Sequence, residues 1–392
     1  MMMEDKPENK KITLEETIEE IRKDFPLLKE KIYFNSCSCG LLNIRVKSAI
    51  QEYIELWNRK GSPWDIWLNK IEDLRALFAR FIYSEKEEIA ISFSASSAIN
   101  AVASSFNYKS RNEIILSDLE FPTVIYIWLA QKNRGAIIKR IYSKEYKIEP
   151  EQFYNKISNN TLIIPLTYLC YKNGYKLEIE EITEYAHKNG ALTFIDGYQI
   201  LGTEDINVKK LDVDFFVSGS LKYLLGSSGI AFLYVKKELI EKLKPIYTGW
   251  FAQKKPFAFD TENFEYAPSA KRFESGTPSF SSVYTTFEGI KIIQEIGIEN
   301  ISNRIKALSS YLIEGLQNLN LKVYTPENPK RRGPLVVFEA KSPEKTVKML
   351  EENNIITSFR GKGVRVSLHF YNTIDEIDIL LRTLKKNISC II

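Results

Sequence analysis

Apolar residues in the middle of this chain come in short runs, and between the runs they return every three or four positions. The first pattern predicts buried β-strands and the second predicts amphipathic helices. Strands are expected at 88–93, 113–117, 136–142, 162–167, 191–196, 214–218 and 229–235, the last with antiparallel geometry. Helices are expected at 67–82, 96–106, near 123–133 and at 178–190, where Gly190 is a natural stop. Near the start, "TLEETIEEIRK" (13–23) reads as a helix capped by Thr13, with Glu16 completing a capping box. Strands alternating with helices predict an α/β fold around a mostly parallel seven-stranded sheet.

After residue 275 the pattern changes. A long helical region (281–318) leads to short strands at 335–340 and 363–370, with helices between and after. The expected organisation is a disordered tail (1–12), an N-terminal helix (13–30) packing on the small domain, a large domain (31–275) and a smaller α+β C-terminal domain (276–392).

Composition narrows the classes of function. Lys+Arg 54 against Asp+Glu 50 gives a net charge of +4, which does not call for nucleic acid or an anionic membrane as partner. The opening "MMMEDKPENKK" lacks the apolar core of a signal peptide. No apolar run approaches the roughly 20 residues that span a bilayer. A cytoplasmic location is expected. The 4 cysteines are too sparse for a disulfide framework, and no metal site is expected. With only His187 and His369 in the chain, a histidine-based triad is improbable and a lysine becomes the better base. His187 is expected to be exposed on its helix and His369 to be structural, on the strand beside Arg365.

In open α/β sheets ligands sit beyond the carboxyl ends of the strands. Three features lie there. Lys222, in "VSGSLKYLLGSSG", follows a strand among apolar and small residues with no carboxylate near it in sequence. A lysine is seldom buried without a partner, and one bonded covalently to something needs none. Asp196, in "TFIDGYQ", ends another strand. "SFSASSAIN" joins a strand to a helix start rich in hydroxyls, where free N–H groups and the helix dipole suit a phosphate. An imine-forming lysine, a carboxylate for a pyridinium nitrogen and a phosphate cradle together describe a pyridoxal phosphate site, with Ala95, Ser96 and Ser97 at the phosphate. Each feature alone has a plainer reading: a surface lysine with a packed stem, a turn aspartate, an ordinary N-cap.

The same residues resemble the class V aminotransferases of pyridoxal phosphate fold type I, over roughly residues 30 to 390. "IDGYQ" resembles that family's Asp-x-x-Gln segment, which implies Asp196 at the pyridine nitrogen and Gln199 at the ring hydroxyl. "SGSLKYLLG" resembles its Schiff-base segment, which implies Lys222 as the catalytic lysine with Ser218 and Ser220 at the cofactor. "RFESGTPS" (272–279) implies that Thr277 reaches the phosphate of a neighbouring subunit, hence a homodimer with a shared site. "VRVSLHFYN" (364–372) implies Arg365 on the carboxylate of an amino-acid substrate. Within the family the likeness is to kynureninase-like, isopenicillin-N-epimerase-like and cysteine-desulfurase-like proteins. "EFPTVIYIW" (120–128) implies Phe121 stacked on the cofactor, "CYKNG" (170–174) points to Tyr171, and "GWFAQKKPFAFD" (249–260) points to Trp250.

Two departures shape the expected reaction. The stretch "IITSFRGKG" (355–363) before Arg365 holds no cysteine, whereas a desulfurase of this family carries its nucleophilic thiol there. Leu221 stands where kynureninases usually have a tyrosine. Transamination at Cα of a small amino acid is therefore favoured. β-Elimination, with Cys37 or Cys39 as sulfur acceptor, is the alternative, and epimerisation is a further one.

Overall fold

The computed structural model describes residues 13–391. The expected tail at 1–12 lies outside them. The first elements are α1 (Leu14–Lys23), the short strand β1 (Ile32–Tyr33), α2 (Ile44–Lys60) and α3 (Trp64–Phe81). Thr13 caps α1 as expected, with its hydroxyl accepting from the Glu16 amide and the Glu16 carboxylate accepting from the Thr13 amide. Strand–helix alternation then begins: β2 (Ile89–Ser92), α4 (Ala95–Ser104), β3 (Glu113–Ser117), α5 (Pro122–Ala130), β4 (Ile137–Ile141), α6 (Glu151–Tyr154), β5 (Thr161–Thr167), α7 (Ile179–Lys188), β6 (Leu192–Asp196), β7 (Phe215–Gly219), β8 (Ala231–Val235) and α8 (Lys237–Ile240).

Seven of these strands form one sheet in the order β2-β8-β7-β6-β5-β3-β4. Strand β8 runs antiparallel to both β2 and β7, and the other pairings are parallel. The sheet is buried on both faces, which explains why its strands read as continuous apolar runs. Successive residues point to opposite faces. Thus Phe215 and Val217 pack with Ile99 and Val102 of α4 and Trp128 of α5, whereas Phe216 packs with Ile71 and Phe78 of α3 and Ile182 of α7. The Phe78 ring stacks on Phe232 with centroids 3.7 Å apart. Each such buried side chain contributes about 1.5–3 kcal/mol relative to exposure.

The remaining elements are α9 (Phe280–Ile296), α10 (Ile298–Asn318), β9 (Leu335–Glu339), α11 (Pro343–Glu352), β10 (Ile355–Ile356), β11 (Ser358–Arg360), β12 (Gly363–Ser367) and α12 (Ile374–Lys386). An antiparallel sheet in the order β11-β12-β9 is covered by Leu312 and Leu316 of α10 and by Leu380 and Leu384 of α12. Strand β1, from the start of the chain, pairs in parallel with β10. Ile18 and Ile21 of α1 pack with Ile292, Ile301 and Phe370.

Beyond short elements that the sequence did not signal, two long helical regions differ from expectation. The region 281–318 is two helices, because Gly297 turns left-handed (φ 88°) and ends the first. Helix α2 has no counterpart in the periodicity reading. It exposes Ile54 and Trp57, so its apolar pattern is not a single stripe.

Candidate active site

Five strands end on one cavity of about 300 Å³. β2 delivers Phe93 to Ser96, β3 delivers Phe121, β5 ends at Thr167, β6 ends at Asp196, and the loop after β7 carries Lys222. This follows from the parallel topology, which gathers carboxyl ends on one side of the sheet. Tyr171, Tyr198 and Gln199 complete the polar and aromatic wall.

The Lys222 ammonium sits 4.3 Å from the centroid of the Tyr198 ring and 5.8 Å from that of Phe121. It forms no ion pair within 4.0 Å of a carboxylate among the described residues. Burial lowers its pKa from 10.5 to about 8, with Arg365 and Arg360 adding repulsion and Asp196 opposing the shift. The buried Asp196 carboxyl is pushed up by desolvation, against the Tyr198 amide, which donates to Oδ1 at 2.9 Å, and the charge of Lys222. A cation hydrogen-bonded to Asp196 would remove that penalty. Gln199 donates from Nε2 to the Cys37 carbonyl at 3.2 Å, and its Oε1 has no partner.

The loop that carries Lys222 is wedged from several sides. The Gly40 amide donates to the Leu221 carbonyl at 2.7 Å, and a Cβ at Gly40 would lie 2.2 Å from the Lys222 carbonyl oxygen. Burial holds His369 neutral by lowering its pKa to about 4. Its Nε2–H donates to the Tyr223 carbonyl at 3.0 Å, while Nδ1 accepts from the Phe370 amide at 2.8 Å. His369 is thus internal, and it lies just beyond β12. His187 differs from expectation: it is half-buried and bonded to Asp214 at 2.8 Å, and that bond raises its pKa.

At the N-terminus of α4, the Ser94 hydroxyl caps the helix by accepting from the Ser97 amide at 3.1 Å. Ala95 and Ser96 line the cavity, and the Ser96 hydroxyl bonds Thr123 at 2.6 Å. The Ser97 hydroxyl is instead bonded to Tyr247 at 3.0 Å. Phe121 and Tyr171 meet edge to face at the cavity wall, centroids 5.1 Å apart. Arg365 is buried beside the cavity, donating to the hydroxyls of Ser38 and Ser358 and to the Tyr171 carbonyl. The Ser218 and Ser220 side chains are buried and bonded to the carbonyls of Gly219 and Ser227, outside the cavity wall. Trp250 lies in an aromatic cluster with Trp64, Phe257 and Phe259, and Thr277 is half-buried; neither lines this cavity.

Sequence reading missed Tyr198 and Thr123. Tyr198 stands inside the Asp-x-x-Gln segment, where the turn after β6 aims it at Lys222. Thr123 is in the first turn of α5, and only the fold brings it to Ser96. Glu120 lies in the loop after β3. It is buried, accepts from Ser117 at 2.8 Å, and burial pushes its pKa up to about 8.

This sheet order, with the smaller antiparallel sheet beside it and a lysine, an aspartate and a helix N-terminus around one cavity, defines the class: a pyridoxal phosphate enzyme of fold type I. The family model Aminotransferase class-V matches residues 32–380, and the chain belongs to that family. It is 32% identical to the uncharacterized aminotransferase YcbU of Bacillus subtilis (strain 168), over 93% of this chain and 96% of that protein. It is 26% identical to a kynureninase of Geobacillus thermodenitrificans (strain NG80-2), over 96% and 93% of the two chains. Its structure superposes on the apo cysteine desulfurase of Thermococcus onnurineus NA1 with a TM-score of 0.86 at 25% identity, covering 95% of this chain and 98% of that one. Among the described residues no helix is long and apolar enough to cross a membrane.

Proposed function

We propose that the protein is a transaminase acting at Cα of a small amino acid, with Lys222 as the group that holds pyridoxal phosphate and moves the proton. The observation that carries this reading is the convergence of Lys222, Asp196, Gln199 and Phe121 on one cavity. The residues fit the cofactor: Gln199 Oε1 is an orphaned acceptor for a ring hydroxyl, buried Asp196 lacks a cation, and the first turn of α4 offers free N–H groups. Ala95 and Ser96 belong to that cradle. Ser97 belongs to the first turn of the same helix, and Ser218 and Ser220 lie at the end of β7 just before Lys222.

Bound pyridoxal phosphate supplies the electron sink for the pair left on Cα. The chain's own residues do the rest. Arg365 holds the substrate carboxylate, positioned by Ser38, Ser358 and the Tyr171 carbonyl. Phe121 and Tyr171 exclude water from one wall. A pKa near 8 gives Lys222 a usable neutral fraction at pH 7 to 8, so its Nζ can take the Cα proton and return it elsewhere.

Borohydride reduction followed by peptide mapping should place a pyridoxyl group on Lys222, and a tag elsewhere overturns the assignment. Mixing enzyme with an amino acid but no keto acid should yield one equivalent of keto acid per subunit and then stop. Continuous release of ammonia would favour β-elimination instead.

We propose a homodimer with a shared site, Thr277 and Trp250 serving the partner's cavity. Support comes from a chain of aromatic contacts running from Trp57 through Tyr53, Trp67 and Trp64 to Trp250 and Phe259, with exposed rings at both ends. The exposed Trp57 and Phe259 rings are the part of this chain that a partner would cover. The proposed division into domains stays at 31–275 and 276–392, with the 13–30 segment on the small domain.

A further inference from the structure

Strands β11 and β12 form a tight antiparallel hairpin whose register sets Ser358 opposite Arg365 and Arg360 opposite Gly363. Directly opposed residues share a face, and so do residues two apart on one strand. Arg360 and Arg365 therefore rise from the same face as diagonal neighbours, about 7–8 Å apart at Cα. The face is the one that carries Arg365 to Ser38 and to the Tyr171 carbonyl at the cavity rim.

The two guanidiniums are poorly compensated. Arg22, Arg45, Arg75, Arg304 and Arg331 each pair with a carboxylate. Arg365 has hydroxyl and carbonyl partners only. The hydrogen bond Arg360 makes runs from Nη1 to the adjacent Phe359 carbonyl at 2.7 Å, and its side chain is exposed. Neither forms an ion pair among the described residues. Both charges reach the reacting lysine, because each helps to depress Lys222 beyond the effect of burial, and Asp196 is the carboxylate that opposes them. An α-carboxylate on Arg365 would neutralise one guanidinium and leave the other.

We propose that Arg360 binds a second anionic group at the end of the substrate side chain, which makes a dicarboxylic amino acid the substrate class of this site. The assignment rests on the reading of Arg365 as the α-carboxylate anchor. A guanidinium is suited to it because it takes a carboxylate through two parallel N–H donors. With Gly363 opposite, no side chain across the hairpin covers Arg360. Lys222 and the two arginines then face the α-amino group and the two carboxylates of one substrate.

The test uses non-reacting acids on the holoenzyme, read by calorimetry. Succinate or glutarate should bind about 10- to 100-fold more tightly than butyrate, the range of one charge-assisted hydrogen-bonding group. Arg360→Gln should erase that preference and leave butyrate affinity within about twofold, whereas Arg360→Lys should retain part of it. In steady state, Arg360→Gln should raise KM for aspartate or glutamate with little change in kcat, and leave KM for alanine unchanged. Equal affinity of the wild type for mono- and dicarboxylic acids, or a preference that survives Arg360→Gln, overturns the assignment. Trapping on Lys222 reports the cofactor reading separately, so a labelled lysine with no dicarboxylate preference rejects the second anion site alone.

Discussion

Lys222 keeps its proton less firmly in the folded protein than in the unfolded chain, about 8 against 10.5, and the cause is burial. Between those two values the unfolded state binds more protons, so the stability of the cofactor-free protein should rise with pH across that window. Lys222→Met should flatten the rise in thermal melts of the cofactor-free protein, and an unchanged profile would place the effect elsewhere. His369 gives a second window on the acid side. Its folded pKa of about 4 lies below the ordinary 6.5, so stability falls as pH drops from 6.5 toward 4. His369→Gln should blunt that fall. At this scale strand ends in the sequence pointed to Lys222 and Asp196, which the structure brings to one cavity, whereas Arg365, in the middle of β12, was implied by the resemblance alone. The sequence was silent on Tyr198 and Thr123, which the fold aims at the site, and it misjudged His187, whose partner Asp214 is the residue before β7.

Loops and helices around the site tolerate little displacement. Gly40→Ala would place a methyl group 2.2 Å from the Lys222 carbonyl, so the 34–42 segment or the lysine loop must move. A cost of about 1–3 kcal/mol is expected, read as a lower denaturation midpoint together with weakened pyridoxal phosphate binding. A variant with wild-type cofactor affinity would show that the two segments are not coupled. The edge strand β4 is partly exposed, but most of the strands were legible because they are short apolar runs buried on both sheet faces. The break at Gly297 was not, since apolar spacing continues across it and only the left-handed backbone ends the helix. Helix α2 escaped because Ile54 and Trp57 interrupt its polar face.

Across the whole molecule the exposed rings at the two ends of the aromatic chain, Trp57 on α2 and Phe259, are features a monomer does not explain. Phe259→Asp, at an exposed ring, should shift the protein from dimer to monomer in light scattering and leave its helix content unchanged. A monomeric wild type would refute the shared site. The order of the strands came only with the fold, whereas the α/β class and the mostly parallel sheet followed from the alternation of elements. How copies meet did not, because a surface ring that contacts a partner reads in sequence like any core aromatic.

Segments far apart in sequence meet at the lysine loop: Gly40 donates to the Leu221 carbonyl and His369 to the Tyr223 carbonyl, while Ser38 and Arg365 join the same two segments to each other. Strand β1 pairs with β10 across more than three hundred residues. During synthesis the central sheet can assemble as its strands leave the ribosome, but the pocket cannot close until the final segment has followed. Cofactor capture should therefore wait for the segment that carries β12 and His369. Ribosome-bound chains stalled before β12 should gain protease resistance in the 89–235 region yet fail to retain pyridoxal phosphate, and chains in which α12 has left the ribosome should retain it.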